Sequence, residues 1–208
     1  MLDLSAAFDK VDYEILINRL YQSFGIRGHV LSWIKSFLSC RTQSVSGNGE
    51  KSGRSMFGCG VPQGSVLGPI LFLIYCADVT AIAERHGLKV HSYADYSQPY
   101  FHADPSVLED KMKQLTDCVD DISKWMSANR LKINKDKTQF IWLGTPHQLS
   151  KVHCHTVRIG DIDIQILSEA MFLGVLLDSK MSFAPHVRRL SGKCFYTTCV
   201  KYEQYADH

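Results

Sequence analysis

At 208 residues, with 45% hydrophobic and 21% charged side chains, the chain can bury the core of one domain or a little more, so it is expected to be globular. Its formal net charge of +2 is too small to imply a polyanionic partner by itself. Seven cysteines form an odd set without a CxxC pair, which points away from a disulfide framework or a standard zinc site and towards a reducing compartment.

In chain order, residues 1–4 are apolar and then acidic, the pattern of a strand end that delivers Asp3 to a surface. No basic region or apolar stretch follows Met1, so no signal peptide is expected. From Asp12, the apolar residues Ile15, Leu16, Leu20 and Phe24 recur at helical spacing, and Gly25 supplies a stop. A second amphipathic helix is expected over 28–38. Residues 43–59 carry Gly47-Asn48-Gly49 amid Gly and Ser, the mark of a hairpin with a polar loop.

After a turn at Val61-Pro62-Gln63-Gly64-Ser65, one long helix is expected to run to about Glu84. Its most apolar part, 66–76, is interrupted by Gly68 and Pro69 and is shorter than the roughly 20 residues a membrane span needs. The expectation is therefore an intracellular protein, in nucleus or cytoplasm, without a transmembrane segment. Two strands meeting in a tight turn should cover 88–101. Leu108, Met112, Leu115, Val119, Ile122 and Trp125 make 105–128 an amphipathic helix. Strands are expected over 138–143, 153–159 and 172–177, and the remainder is poorly patterned. His153-Cys154-His155 would place two histidines on one strand face, but no further ligand types cluster nearby. For Trp33, Trp125 and Trp142 the default is a core position, with base stacking as the other reading.

Several strings carry chemistry. Leu2-Asp3-Leu4-Ser5-Ala6-Ala7-Phe8 sets a carboxylate at a strand end and an aromatic five residues later. Gly60-Val61-Pro62-Gln63-Gly64-Ser65-Val66-Leu67-Gly68-Pro69 allows close backbone approach at Gly64, offers the Gln63 amide as donor and acceptor, and places Pro69 in the first turn of a helix. Tyr93-Ala94-Asp95-Tyr96 is a tight turn holding one carboxylate. Lys132, Lys135 and Lys137 follow the helix that ends near Ala128.

In this order the strings resemble motifs A, B, C and D of the reverse transcriptases of LINE-type (non-LTR) retrotransposons, and Phe172-Leu173-Gly174-Val175 is similar to motif E. The resemblance covers residues 2–178. It implies an α+β fold, a polymerase palm-like antiparallel sheet packed on helices, over 1–180, with 181–208 as the start of a connection or thumb region. Because the chain opens directly on motif A, fingers and thumb are expected to be largely missing.

The family's activity is RNA-templated DNA synthesis by two-metal nucleotidyl transfer, with RNA template, DNA primer and dNTPs as partners and Mg2+ as cofactor. By resemblance Asp3 and Asp95 are the catalytic metal ligands, while Phe8, Gln63, Gly64 and Lys137 contact nucleotide or template. The family pattern at the turn is Tyr-Ala-Asp-Asp; here Tyr96 replaces the second carboxylate, and a protonated phenol is a poor magnesium ligand. The expectation is an impaired or inactive RNA-directed DNA polymerase. The alternatives are a non-catalytic module that binds an RNA/DNA hybrid and a non-functional retrotransposon relic.

Overall fold

The structure is a computed structural model that describes residues 1–62 and 64–206. It mixes helices and strands and divides into two compact units. The larger comprises Leu2–His102 and Lys113–Thr138; the smaller comprises Met1, Ala103–Met112 and Gln139–His208.

In the larger unit a 3-10 turn, Ala7–Lys10, precedes helix α1 (Tyr13–Gln22). The Asp12 carboxylate caps α1 by accepting from the amides of Glu14 and Ile15 at 3.0 and 3.1 Å, satisfying donors that have no partner within the helix. Leu16 and Leu20 are fully buried. Helix α2 (Gly28–Leu38) buries Ile34 and Leu38. The polar hairpin forms as a nested pair, β1 (Thr42–Gln43) with β4 (Ser55–Met56) outside β2 (Ser46–Gly47) with β3 (Glu50–Lys51). Its Asn48-Gly49 tip has positive φ at both residues, the geometry that matches the twist of a two-residue hairpin.

The expected single helix after Ser65 is two: α3 (Leu67–Tyr75) and α4 (Asp78–Arg85), separated at Cys76 and Ala77. Leu67–Arg85 taken together is long and apolar enough to cross a membrane. The break instead lets both helices bury a face, Leu71, Phe72 and Tyr75 from one and Val79, Ile82 and Ala83 from the other. No glycine or proline marks the break, so periodicity alone could not reveal it.

The motif C region is the hairpin β5 (Lys89–Tyr93) and β6 (Tyr96–Tyr100), turning through Ala94 and Asp95. Helix α5 (Leu108–Ala128) buries Leu115, Cys118, Val119, Ile122 and Met126 along one stripe. Arg130 at φ +56 turns the chain out of α5 into a segment that returns beside residues 2–5.

The smaller unit holds a three-stranded sheet in the order β7 (Phe140–Ile141), β9 (Ile162–Leu167), β8 (Thr156–Ile159). Residues 172–177, expected as a strand, are split by a turn at Leu173-Gly174 into the hairpin β10 (Glu169–Phe172) and β11 (Val175–Asp178). The expected strand at 138–143 contracts to β7. The one at 153–159 begins only at Thr156, so His153 and His155 share no strand face. A short helix, α6 (Pro146–Leu149), starts on a Thr145/Gln148 capping box. Helix α7 (Ala184–Ala206) follows a loop whose amides at Lys180, Ser182 and Phe183, with the Ser182 hydroxyl, donate to Asp178. Burial raises the Asp178 carboxyl, but these donors win and hold it below its ordinary value.

Candidate active site

The site lies within the larger unit and begins with two residues of backbone pairing. Leu2 donates to the Ser97 carbonyl at 2.7 Å and Ser97 donates back at 3.1 Å. On its other side the same segment pairs with the chain after α5. Ser5 donates to Lys132 at 2.9 Å, Asn134 donates to Asp3 at 2.8 Å, and Leu4 stands opposite Ile133. Residues 2–5 thus run between β6 and the Lys132–Asn134 backbone, with β5 beyond β6, and every contact is antiparallel.

Strand alternation then sorts the side chains. Leu2 and Leu4 point into the core at 1% and 5% exposure, which turns Asp3 to the opposite face. Continuing the Leu2–Ser97 register sets Asp3 across from Tyr96, one residue beyond Asp95. Ala94, at φ +51, makes the tight turn that holds Asp95.

Asp3 is buried. Its Oδ1 accepts from the Leu4 amide at 2.9 Å, and its Oδ2 lies 4.0 Å from Nζ of the exposed Lys137. Burial first, and the Asp3 charge in addition, push the Asp95 carboxyl above its ordinary value, against the pull of its own amide and of Lys137. The same physics acts on Tyr96: burial and then the charges of Asp95 and Asp3 push up a phenol that is already neutral near pH 7 at its ordinary value. Two carboxylates and a phenol therefore share one patch, with a lysine at its edge. Among the described residues no group of three or more His, Cys, Asp or Glu is placed to hold a metal ion.

Phe8 and Gly64 lie on segments tied to the turn that follows Asp3. Phe8, half-buried, stacks on Phe72 of α3 with centroids 4.8 Å apart. The loop before α3 is tied to the turn that follows Asp3, because Gly60 donates to Val11 at 2.7 Å and Val61 to Phe8 at 2.8 Å. Gly64 is exposed at φ +78, with nothing within 4 Å of where a Cβ would stand, so its backbone is open to approach. Ser65 Oγ donates to the Pro62 carbonyl at 2.7 Å and accepts from the Gly68 amide at 3.0 Å, which fixes the loop's exit. Gln63 lies outside the described residues.

Three supports escaped sequence reasoning. Gly60, at φ +88, has room for no Cβ, since one would sit 2.8 Å from the Asp9 Cα. Thr138 Oγ1 donates to the Asn134 carbonyl at 2.8 Å beside the Asp3 amide, bracing the returning segment. Arg19 is held between the Tyr75 and Trp125 rings, bonds Asn129 at 3.1 Å and pairs with Asp78 at 3.0 Å. None of the three has a local sequence signal; each is defined by a partner distant in the chain.

Comparison with known proteins identifies the family. The family described as "Reverse transcriptase (RNA-dependent DNA polymerase)" matches residues 1–177. The chain is 26% identical over 199 residues to a probable RNA-directed DNA polymerase from transposon BS of Drosophila melanogaster, covering 93% of this chain and 21% of that protein. It is 29% identical over 195 residues to the RNA-directed DNA polymerase from mobile element jockey of Drosophila melanogaster (91% and 20%), and 30% identical over 196 residues to the jockey enzyme of Drosophila funebris (91% and 20%). It spans about a fifth of the length of these relatives. On these matches, the chain belongs to the reverse transcriptase family, beside the polymerases of LINE-type transposable elements.

Proposed function

We propose that residues 1–180 are the palm region of an RNA-directed DNA polymerase, with 181–208 as the start of a connection or thumb region, and that nucleotide transfer at its site is impaired by Tyr96. The observation that carries the reading is the Leu2–Ser97 pairing, which brings the Asp3 strand against the hairpin that holds Asp95.

In this reading Asp3 and Asp95 hold a divalent cation such as Mg2+. The residues present fit one hard cation. Among the described residues Asp3 Oδ2 has no donor closer than the lysine at 4.0 Å, and the mutual repulsion of the two carboxylates is relieved by a positive ion between them. They fit a pair of ions poorly, since Tyr96 stands where a third carboxylate would complete the set. When bound, such a cation polarises phosphoryl oxygens and neutralises the charge that develops on them.

The chain's own residues do the positioning. Lys137, 72% exposed at the edge of the patch, offsets triphosphate charge. The Phe8 ring, pinned by Phe72, limits the space available to the incoming sugar. Gly64 lets nucleotide or template approach the backbone, and Gln63, which precedes it in sequence, carries an amide able to donate and accept. The substrates are then dNTPs, an RNA template and a DNA primer.

Primer extension by the 208-residue chain on an RNA template tests this, with Mg2+ and with Mn2+. Weak templated synthesis that disappears in both Asp3→Asn and Asp95→Asn supports it. Synthesis that survives either change contradicts it. A second reading, hybrid binding without chemistry, draws on the exposed Lys132 and Lys137 beside a turn that lacks its second carboxylate. It expects salt-sensitive binding of an RNA/DNA duplex with no extension in either metal.

A further inference from the structure

Outside that site, the sequence and surface of α1 and α2 share an unusual property. Glu14, in the first turn of α1 and in the wall of the cavity between α1 and α2, is the last acid before Glu50, and Arg19, Arg27, Lys35 and Arg41 fall between them, whereas outside 15–49 the chain carries more acids than bases. Arg19 is engaged with Asp78, but no ion pair engages Arg27, Lys35 or Arg41 among the described residues.

Aromatic rings interleave with these cations. Trp33, expected by default in the core, is 57% exposed and stacks with Phe37 at 6.2 Å. Arg41 lies 5.1 Å over the Phe37 ring, and Arg27 lies 4.9 Å over the exposed ring of Tyr21. An arginine parked on a ring face keeps its charge available to solvent and to an approaching anion. A stretch with four bases, acids only at its flanks and exposed rings matches an anionic, ring-bearing ligand better than a neutral one.

A cavity of about 570 Å3 opens between the same two helices, with Tyr13, Tyr21, Asn18, Glu14 and Lys35 in its wall. The Tyr13 hydroxyl is buried without a hydrogen-bond partner. A cavity of this size accepts a flat heterocycle, and these side chains offer it ring faces, donors and acceptors.

We propose that the α1–α2 face is a second binding site, for unpaired single-stranded nucleic acid, in which one base stacks on Trp33, another enters the cavity beside Tyr13 and Tyr21, and Arg27, Lys35 and Arg41 neutralise the phosphates. It contains none of the residues of the Asp3–Asp95 site. Stacking tolerates any base, so the site selects strandedness more than sequence.

Fluorescence anisotropy of a labelled oligouridylate of about 12 nucleotides, in EDTA and without dNTPs, tests it independently of chemistry. The native chain binds, a duplex of the same length competes poorly, and Trp33→Ala weakens binding about ten-fold. Arg27→Gln combined with Arg41→Gln reduces the salt slope by about 1.4, at about 0.7 per phosphate contact. Circular dichroism confirms that the variants fold. Unchanged affinity in both variants overturns the proposal. So does a Trp33→Ala change that alters sedimentation while leaving oligonucleotide affinity intact, which would assign the face to a protein contact. Because the readout needs neither metal nor extension, its failure leaves the polymerase reading standing, and failed extension leaves this site standing.

Discussion

Leu2 and Ser97 form a hydrogen-bonded antiparallel pair, at 2.7 and 3.1 Å, between segments 95 residues apart. Such a pair fixes the register of the strands on either side of it, and a slip of one residue would send Asp3 into the core and Leu2 to the surface. The whole electrostatic character of the patch rests on that register. It sets a buried carboxylate near a second one, whose pKa burial and then the Asp3 charge raise, and opposite a phenol.

Tyr96→Asp should restore the missing ligand at an electrostatic cost. Three carboxylates in one patch repel, so the metal-free variant should melt lower than the native chain. Its Mg2+ affinity should rise about ten-fold, and Mg2+ should recover the lost stability through linkage. Isothermal titration and thermal melts with and without Mg2+ check this; an unchanged affinity would show that Tyr96 is not what limits the site.

Gly60→Ala should disturb the site from behind. The added Cβ would meet the Asp9 Cα at 2.8 Å and the Asp9 and Phe8 carbonyl oxygens at 2.9 Å, in a backbone conformation that alanine disfavours. The expected loss is about 3 kcal/mol, read from urea unfolding, with Gly64→Ala costing less because open space surrounds it.

Arg19→Met should cost about 2 kcal/mol. The change removes two ring contacts, the Asn129 bond and an ion pair whose Arg side chain is 9% exposed. Asp78, at 49% exposed, can rehydrate, which keeps the loss below that of breaking a fully buried pair. Urea midpoints measure it.

Asp121 contributes to the pH dependence away from the site. His86 at 3.0 Å and Lys124 at 3.2 Å bond the Asp121 carboxylate and hold its pKa below the ordinary value. A depressed folded pKa contributes stability that is present above the unfolded value, about 3.9, and is lost as pH falls through the folded one. Native and Asp121→Asn chains should therefore differ in urea midpoint at about pH 6 and converge as the pH falls through the folded value. A difference constant over that range would rule this contribution out.

Local chemistry made much of this legible. The Asp12 cap, the Asn48-Gly49 tip, the apolar stripe of α5 and the tight turn at Asp95 all follow from signals a few residues long. What escaped depends on distant partners. The α3–α4 break carries no breaker residue. Helix α7 leaves Val187, Leu190, Phe195 and Tyr196 largely exposed, so it lacks the one-sided pattern that would announce it. At the proposed site, the strings single out Asp3, Asp95, Phe8, Gln63, Gly64 and Lys137 as candidates, while Gly60, Thr138 and Arg19 support the fold only through tertiary contact.

The claim that Asp3 and Asp95 serve one cation is tested most directly by Mn2+ added to the 15N-labelled chain, reading paramagnetic broadening of assigned amides. The account predicts that the amides of residues 3–4 and 94–96 broaden together at the lowest Mn2+ additions, and that Asp3→Asn abolishes the broadening at both segments. Broadening confined to one segment, or unaffected at 94–96 by Asp3→Asn, would contradict it.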